Sequence, residues 1–295
     1  MVIKPIRAVV FDLGGTLEET YYDDALRATA TRGLQQLLIE RKFDPGLSLS
    51  ELQATVLAGL RAYTDWREKT EIELPPERVW TEYIFPAAGL PKKRLMAAAE
   101  ELTFYYETQF QARTVRPEAP AMLQALAAKG YRLAVISNII SRRLVRVKLE
   151  EYGIAHYFDP ILTSSNFGWR KPNERIFLEC ARLLGLPPTG CAYVGDTISR
   201  DVIGARRAGF GLAIQIKSFL TTKADKETDV EQPDVIIQDL REVVAVIRDR
   251  SRQFTNLPIH RPLKAHGHQR HFLRCSRRIL CAQGIHCDLR RAVVA

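Results

Sequence analysis

The sequence predicts an α/β protein built on a doubly wound parallel sheet, with an all-helical segment inserted near its start. Two observations carry that prediction. A short apolar, β-branched run opens the chain, and similar runs alternate with helical periodicity from residue 118 onward. Between them, residues 21–111 show helical periodicity with no convincing strand. Strands alternating with helices imply right-handed crossovers between parallel strands. Such sheets bind ligands beyond the carboxyl ends of their strands.

Taken in order, residues 6–12 form an apolar run that ends in Asp12 and then Gly14-Gly15, a buried strand opening into a turn. Helices are expected near 23–42, 50–70, 76–87 and 92–111, divided by Asp44-Pro45-Gly46, Pro75-Pro76 and Gly89-Leu90-Pro91. The second half reads as a helix at 118–129, a strand at 131–137 and a helix at 141–152. A strand at 160–164, a helix at 173–184, a strand at 191–195 and a helix at 199–208 follow. Strands at 211–216 and 234–237 and a helix at 239–250 complete the pattern.

Composition sets limits on function. With 46% hydrophobic and 26% charged residues the chain reads as globular and soluble. No apolar run approaches the roughly 20 residues needed to span a bilayer, and the first residues lead into a strand rather than a signal-peptide core. A membrane partner is not expected, and the cytoplasm is the default location. The net charge of +9 hints at nucleic acid, but residues 251–295 hold nine Lys/Arg against the single acid Asp288, a net of +8. The first 250 residues therefore carry only +1, and nucleic acid is not the expected partner of the folded body. The same tail holds Cys275, Cys281, Cys287 and five of the six histidines. Their even spacing matches no common zinc module, and the tail is expected to be a disordered extension without a packed core. Cys180 and Cys191 alone make no disulfide framework.

Polar residues recur at the strand ends: Asp12 after the first strand, Ser137-Asn138 after the next, and Gly195-Asp196 after a later one. A single carboxylate there is most often a cap or turn residue. Three strand ends converging on one crevice point instead to a site.

These residues resemble the haloacid dehalogenase-like hydrolases in four ordered motifs. Phe11-Asp12-Leu13-Gly14-Gly15-Thr16-Leu17 resembles the first, normally D-x-D-G-T, and Val135-Ile136-Ser137-Asn138 the second. The stretch from Phe167 through Lys171 to Asn173 resembles the third, and Val194-Gly195-Asp196 through Asp201 the fourth. The resemblance implies an α/β core of residues 1–17 and 112–250, a helical cap of residues 18–111, and the basic extension 251–295. It implies Asp12 as nucleophile, Lys171 as its charge partner, and Ser137 and Asn138 with Lys171 as binders of a phosphoryl group. Mg²⁺ would be held by Asp12, Asp196, Asp201 and a backbone carbonyl near Gly14. The expected substrate is a small phosphorylated metabolite, hydrolysed through an aspartyl-phosphate.

The chemistry suits those residue types. A carboxylate attacks an anionic phosphoryl group only where cations suppress their repulsion, and Mg²⁺ prefers oxygen donors. Plainer readings exist for individual residues. Asp201 fits a helix N-terminus, Ser137-Asn138 fits a turn, and Lys171 fits a solvated loop.

One position departs from the family pattern. Gly14 stands where its phosphatases carry a second Asp, the general acid and base, a role worth on the order of 10²–10⁴ in rate. This leaves a slow hydrolase as the first reading. A non-catalytic binding protein is the alternative, and a dehalogenase- or phosphonatase-like hydrolase a further one. Glu18 and Glu19 are candidate proton relays, or simply exposed acids of a turn or helix start. Asn173, where an Asp is usual, is expected to cap a helix. Of the cap aromatics Tyr63, Trp66, Trp80, Tyr83, Phe104, Tyr105 and Tyr106, most are expected in the bundle core.

Overall fold

A computed structural model of the chain describes residues 5–87, 90–218 and 232–247. The expected basic extension, with its cysteines and histidines, lies outside those residues.

The strand β1 (Ala8–Phe11) is the centre of the molecule. It pairs in parallel with β4 (Arg132–Ser137) on one side and β6 (Cys191–Gly195) on the other. With β5 (Phe158–Thr163), β7 (Leu212–Ile216) and β8 (Val235–Ile237) the sheet order is β5-β4-β1-β6-β7-β8, all pairs parallel. The period of two along β1 explains how both faces are covered. Val9 and Phe11 join a cluster with Leu123, Leu126, Leu144 and Leu149, from α5 (Ala119–Ala128) and α6 (Leu144–Glu151). Ala8 and Val10 face the opposite cluster, with Phe177 and Cys180 from α8 (Glu174–Leu183) and Ala205 from α9 (Ile203–Arg207). Helices on both faces make this a doubly wound sheet. The chain departs in opposite directions on either side of β1, so the crevice at its carboxyl end is the switch point.

The inserted segment is helical, as its periodicity predicts. It comprises α1 (Asp24–Glu40), α2 (Leu49–Thr70), the short α3 (Pro76–Arg78) running into a π-helical turn (Val79–Ile84), and α4 (Lys92–Gln109). Their ends follow ordinary capping chemistry: Asp23 accepts the Leu26 amide at 2.7 Å, and Ser48 with Glu51 forms a capping box on α2. Leu34, Leu52, Leu102, Tyr63 and Trp80 are buried in a core separate from those of the sheet. Trp66, Tyr83, Tyr105 and Tyr106 pack against that core, in keeping with the expectation that most of these aromatics serve the bundle, while Phe104 packs against the sheet cluster instead.

Two strands lie beyond the predicted pattern. β2 (Glu18–Tyr21) and β3 (Ala112–Val115) pair antiparallel, forming the ribbon through which the chain leaves and re-enters the α/β body. Glu18 is therefore neither an exposed turn acid nor a helix start. It is fully buried, paired with Arg113, and accepts the Tyr152 hydroxyl at 2.7 Å. Glu19, its neighbour, points outward with a side chain 67% exposed, 3.5 Å from Arg116. Among the described residues, no helix is long and apolar enough to cross a membrane.

Candidate active site

The side chains singled out in the sequence meet at the carboxyl end of the sheet. Asp12 follows β1, Ser137 ends β4 and Asp196 follows β6, while Asp201 comes from a π-helical turn (Ile198–Val202). Lys171 enters from the loop after α7 (Ser164–Phe167), just ahead of α8. Its ammonium lies 2.7 Å from Asp12 Oδ1 and 2.6 Å from Asp201 Oδ1, and donates to the Tyr193 hydroxyl at 2.9 Å. Lys171 is 3% exposed, so it is a buried charge partner rather than a solvated lysine.

Two glycines make room for the acids. A Cβ on Gly15 would lie 2.3 Å from Asp196 Oδ2, and Gly15 also has a φ of +85°, which other residues rarely adopt. A Cβ on Gly195 would lie 2.4 Å from Asp201 Cβ.

Electrostatically, Lys171 pairs with two of three clustered carboxylates, and Arg200 adds positive charge that acts on Asp196 and Asp201. Asp12, Asp196 and Asp201 are buried, and each offers an oxygen within 4.8 Å of the others. Burial holds the Asp12 carboxyl above the ordinary range despite Lys171, and pushes Asp196 to about 7. Burial also opposes ionisation of Asp201, but Lys171 outweighs it and the carboxyl is held low. Lys171 stays charged because its two acids outweigh its own desolvation.

The four oxygen contacts of Asp201 are accounted for within the protein. Oδ1 accepts from Lys171 and Tyr193, at 2.6 and 3.1 Å, and Oδ2 accepts from the Thr197 amide and hydroxyl, at 3.0 and 2.7 Å. This residue orients Lys171 as well as adding charge. Asp196 Oδ2 accepts the Ser218 hydroxyl at 2.7 Å. Asn138 is likewise engaged: its amide spans the Lys171 backbone, accepting from N–H at 2.8 Å and donating to C=O at 2.9 Å. It holds the lysine in place from beside the cavity. Asn173 caps α8 as expected, accepting the Arg175 amide at 3.1 Å.

A cavity of about 230 Å³ opens over Asp12 and Ser137. Its other walls bring in residues that sequence reasoning missed: Arg67 from α2, Glu107 from α4, Arg113 from β3 and Arg200 from the π-helical turn. Glu107 accepts the Ile140 and Ser141 amides at 2.9 Å each, tying α4 to the loop after β4. Burial pushes its carboxyl up to about 7, with those amides working against the shift. A raised carboxyl favours the folded state most below its ordinary value, and that advantage drains away as pH rises from about 4.5 to about 7. The melting temperature of the wild type, measured relative to Glu107→Gln, should accordingly fall by a few degrees between pH 5 and pH 8. An offset that stays constant over that range would contradict the assignment.

With this geometry in view, the comparisons with known proteins are decisive about lineage. A family model for haloacid dehalogenase-like hydrolases matches residues 6–209. The chain belongs to that family. A glyceraldehyde 3-phosphate phosphatase from Methanothermobacter thermautotrophicus is 32% identical over 82% of this chain and 100% of its own. A second, from Methanopyrus kandleri, is 29% identical over 84% of this chain and 99% of its own. Among solved structures, a HAD phosphatase from Thermococcus onnurineus superposes with a TM-score of 0.57 at 23% identity, covering 82% of this chain and 98% of that one. The last comparison speaks to the fold alone. This member of the haloacid dehalogenase-like family is a hydrolase of phosphatase type, with the family's four motifs at one sheet edge.

Proposed function

We propose that the protein is a Mg²⁺-dependent phosphatase of small phosphorylated metabolites, using Asp12 as nucleophile. The observation that carries this reading is the juxtaposition of Asp12 with Lys171 at 2.7 Å beneath a cavity just large enough for a compact ligand. The phosphatase names of the relatives aligned end to end support it.

The donor set fits Mg²⁺. Three buried carboxylates crowd together while Lys171 pairs with only two of them, and burial drives Asp12 and Asp196 toward protonation, so a dication would restore the balance. The Gly14 carbonyl accepts no hydrogen bond among the described residues and is open to a hard cation. Asp12, Asp196 and that carbonyl would hold the ion, while Asp201, whose oxygens are taken by Lys171, Tyr193 and Thr197, would add negative charge beside it rather than a free ligand oxygen. When bound, the ion offsets charge on a phosphoryl group.

Lys171 works against the protonation that burial favours at Asp12 and faces an incoming phosphoryl oxygen, and Ser137 supplies a hydroxyl from the neighbouring strand end. Attack by an Asp12 oxygen on phosphorus forms an aspartyl-phosphate as the ester P–O bond breaks, and the departing oxygen takes its proton from water because Gly14 offers none; a second water then attacks phosphorus, releasing inorganic phosphate and restoring the carboxylate. Residues 18–111 act as a cap over that chemistry on a core of 1–17 and 112–250. Turnover of a panel of alkyl and aryl phosphates, with Mg²⁺ and with chelator, tests the reading. Metal-dependent release of inorganic phosphate is expected, and a panel inert in both conditions would overturn it.

A further inference from the structure

One cluster of charges is unexplained by hydrolysis of a simple phosphate ester. Arg67, Arg170 and Arg200 come from three separate segments, α2, the loop before α8 and the π-helical turn after β6, yet all border a second cavity of about 190 Å³. Arg67, Arg200 and Lys171 line this cavity and the one over Asp12 alike, so the two adjoin.

The cluster is short of partners. Its buried acid is Glu73, 3.5 Å from Arg67 Nη1 and 3.8 Å from Arg170 Nε, which is too long for tight pairing. Glu73 is already committed: it accepts the Tyr63 hydroxyl on one oxygen and the Ser164 hydroxyl, at 2.8 Å, on the other. The Arg200 guanidinium makes no ion pair or hydrogen bond among the described residues, although its charge acts on Asp196 and Asp201 at the neighbouring site, and the other acid lining the cavity, Glu68, is exposed. Arg67 Nε and Arg170 Nη1 are buried donors with no partner at all, and Arg170 as a whole is 2% exposed. Buried donors are almost always satisfied, and desolvated guanidiniums are tolerated only near negative charge. Burial first, and then Arg67 and Arg200, pull Arg170 down to about 9, with Glu73 working against the shift.

We propose that Arg67, Arg170 and Arg200 form a subsite for a second anionic group on the substrate, a carboxylate or a second phosphate, beside the phosphoryl group held at Asp12. The proposal rests on the phosphatase reading and narrows its substrate class to compact phosphate esters with two anionic ends. Guanidinium forks match the oxygen geometry of both groups. Arg67 belongs to α2, so the inserted helices select the substrate as well as cover it.

Binding of inert phosphonates separates this idea from catalysis. With Mg²⁺ present, calorimetry would compare propylphosphonate, 3-phosphonopropanoate and propane-1,3-bisphosphonate on the wild type, Arg67→Met and Arg200→Met. The wild type should bind one or both doubly anionic probes about 10- to 100-fold more tightly than propylphosphonate, as expected for charge-assisted hydrogen bonds to a second anion. The tighter of the two identifies the group. In each variant that ratio should collapse toward one. A wild type that does not discriminate, or variants that keep the full ratio, would overturn the subsite. Discrimination in a protein that turns over no phosphate ester would retain the subsite and sink the phosphatase reading.

Discussion

Replacing the proposed nucleophile, Asp12→Asn, should abolish turnover and leave the protein folded. An amide is a far weaker nucleophile than a carboxylate, and loss of a covalent-catalysis nucleophile costs on the order of 10⁴ or more in kcat. The fold should persist because the substitution is close to isosteric and Lys171 keeps its second acid, Asp201, at 2.6 Å. Burial also pushes the Asp12 carboxyl up, so charge at that position is itself held at a cost. Steady-state kinetics paired with a thermal melt would show it. Activity within tenfold of wild type in a normally folded variant would remove Asp12 from the mechanism.

The opposite change is expected at the neighbouring anomaly. Gly14→Asp should raise kcat for an alkyl phosphate by on the order of 10²–10³, and by less for an aryl phosphate whose leaving group departs unaided. The site can accept it. Gly14 lies outside the left-handed region, and a Cβ there would meet nothing closer than Arg113 Nη1 at 3.7 Å, with Glu18 Oε1 at 3.8 Å. Space for the missing acid thus survives, and Arg113 has a guanidinium at its edge. Glu18 lies almost as close and favours the protonated form that a general acid needs, while Arg113 favours the ionised form, so the pH–rate profile should gain a new ionisation along with the change in kcat. Unchanged kinetics for both ester types would show that proton transfer does not limit this enzyme.

The sheet and the strand-end acids were legible because each depends on local pattern. Apolar runs end at Asp12, Ser137 and Asp196, and helix starts such as Asn173 follow short-range capping rules. What escaped depends on partners distant in sequence. β2 and β3 are four residues each, carry charged and polar side chains, and make sense only as a pair joined by Glu18 and Arg113. Tyr193 hides inside an apolar strand, although its hydroxyl reaches both Lys171 and Asp201. Arg67, Arg170 and Arg200 come from segments far apart in sequence, and no local pattern marks them as neighbours. Asn138 was legible as a site residue, but its bonds to the Lys171 backbone were not, since they span 33 residues.

The voids at Gly15 and Gly195 also constrain how this lineage can change. Asp196 and Asp201 each occupy space that a methyl group on the facing glycine would claim. Shedding either acid would not free its glycine. Gly15 would still need a φ of +85°, which other residues rarely adopt, and a Cβ on Gly195 would still meet the Cβ that any residue but glycine carries at position 201. In a lineage that loses its activity the glycines should therefore outlast the acids, and a lost acid could return by a single substitution into space that its glycine has kept open.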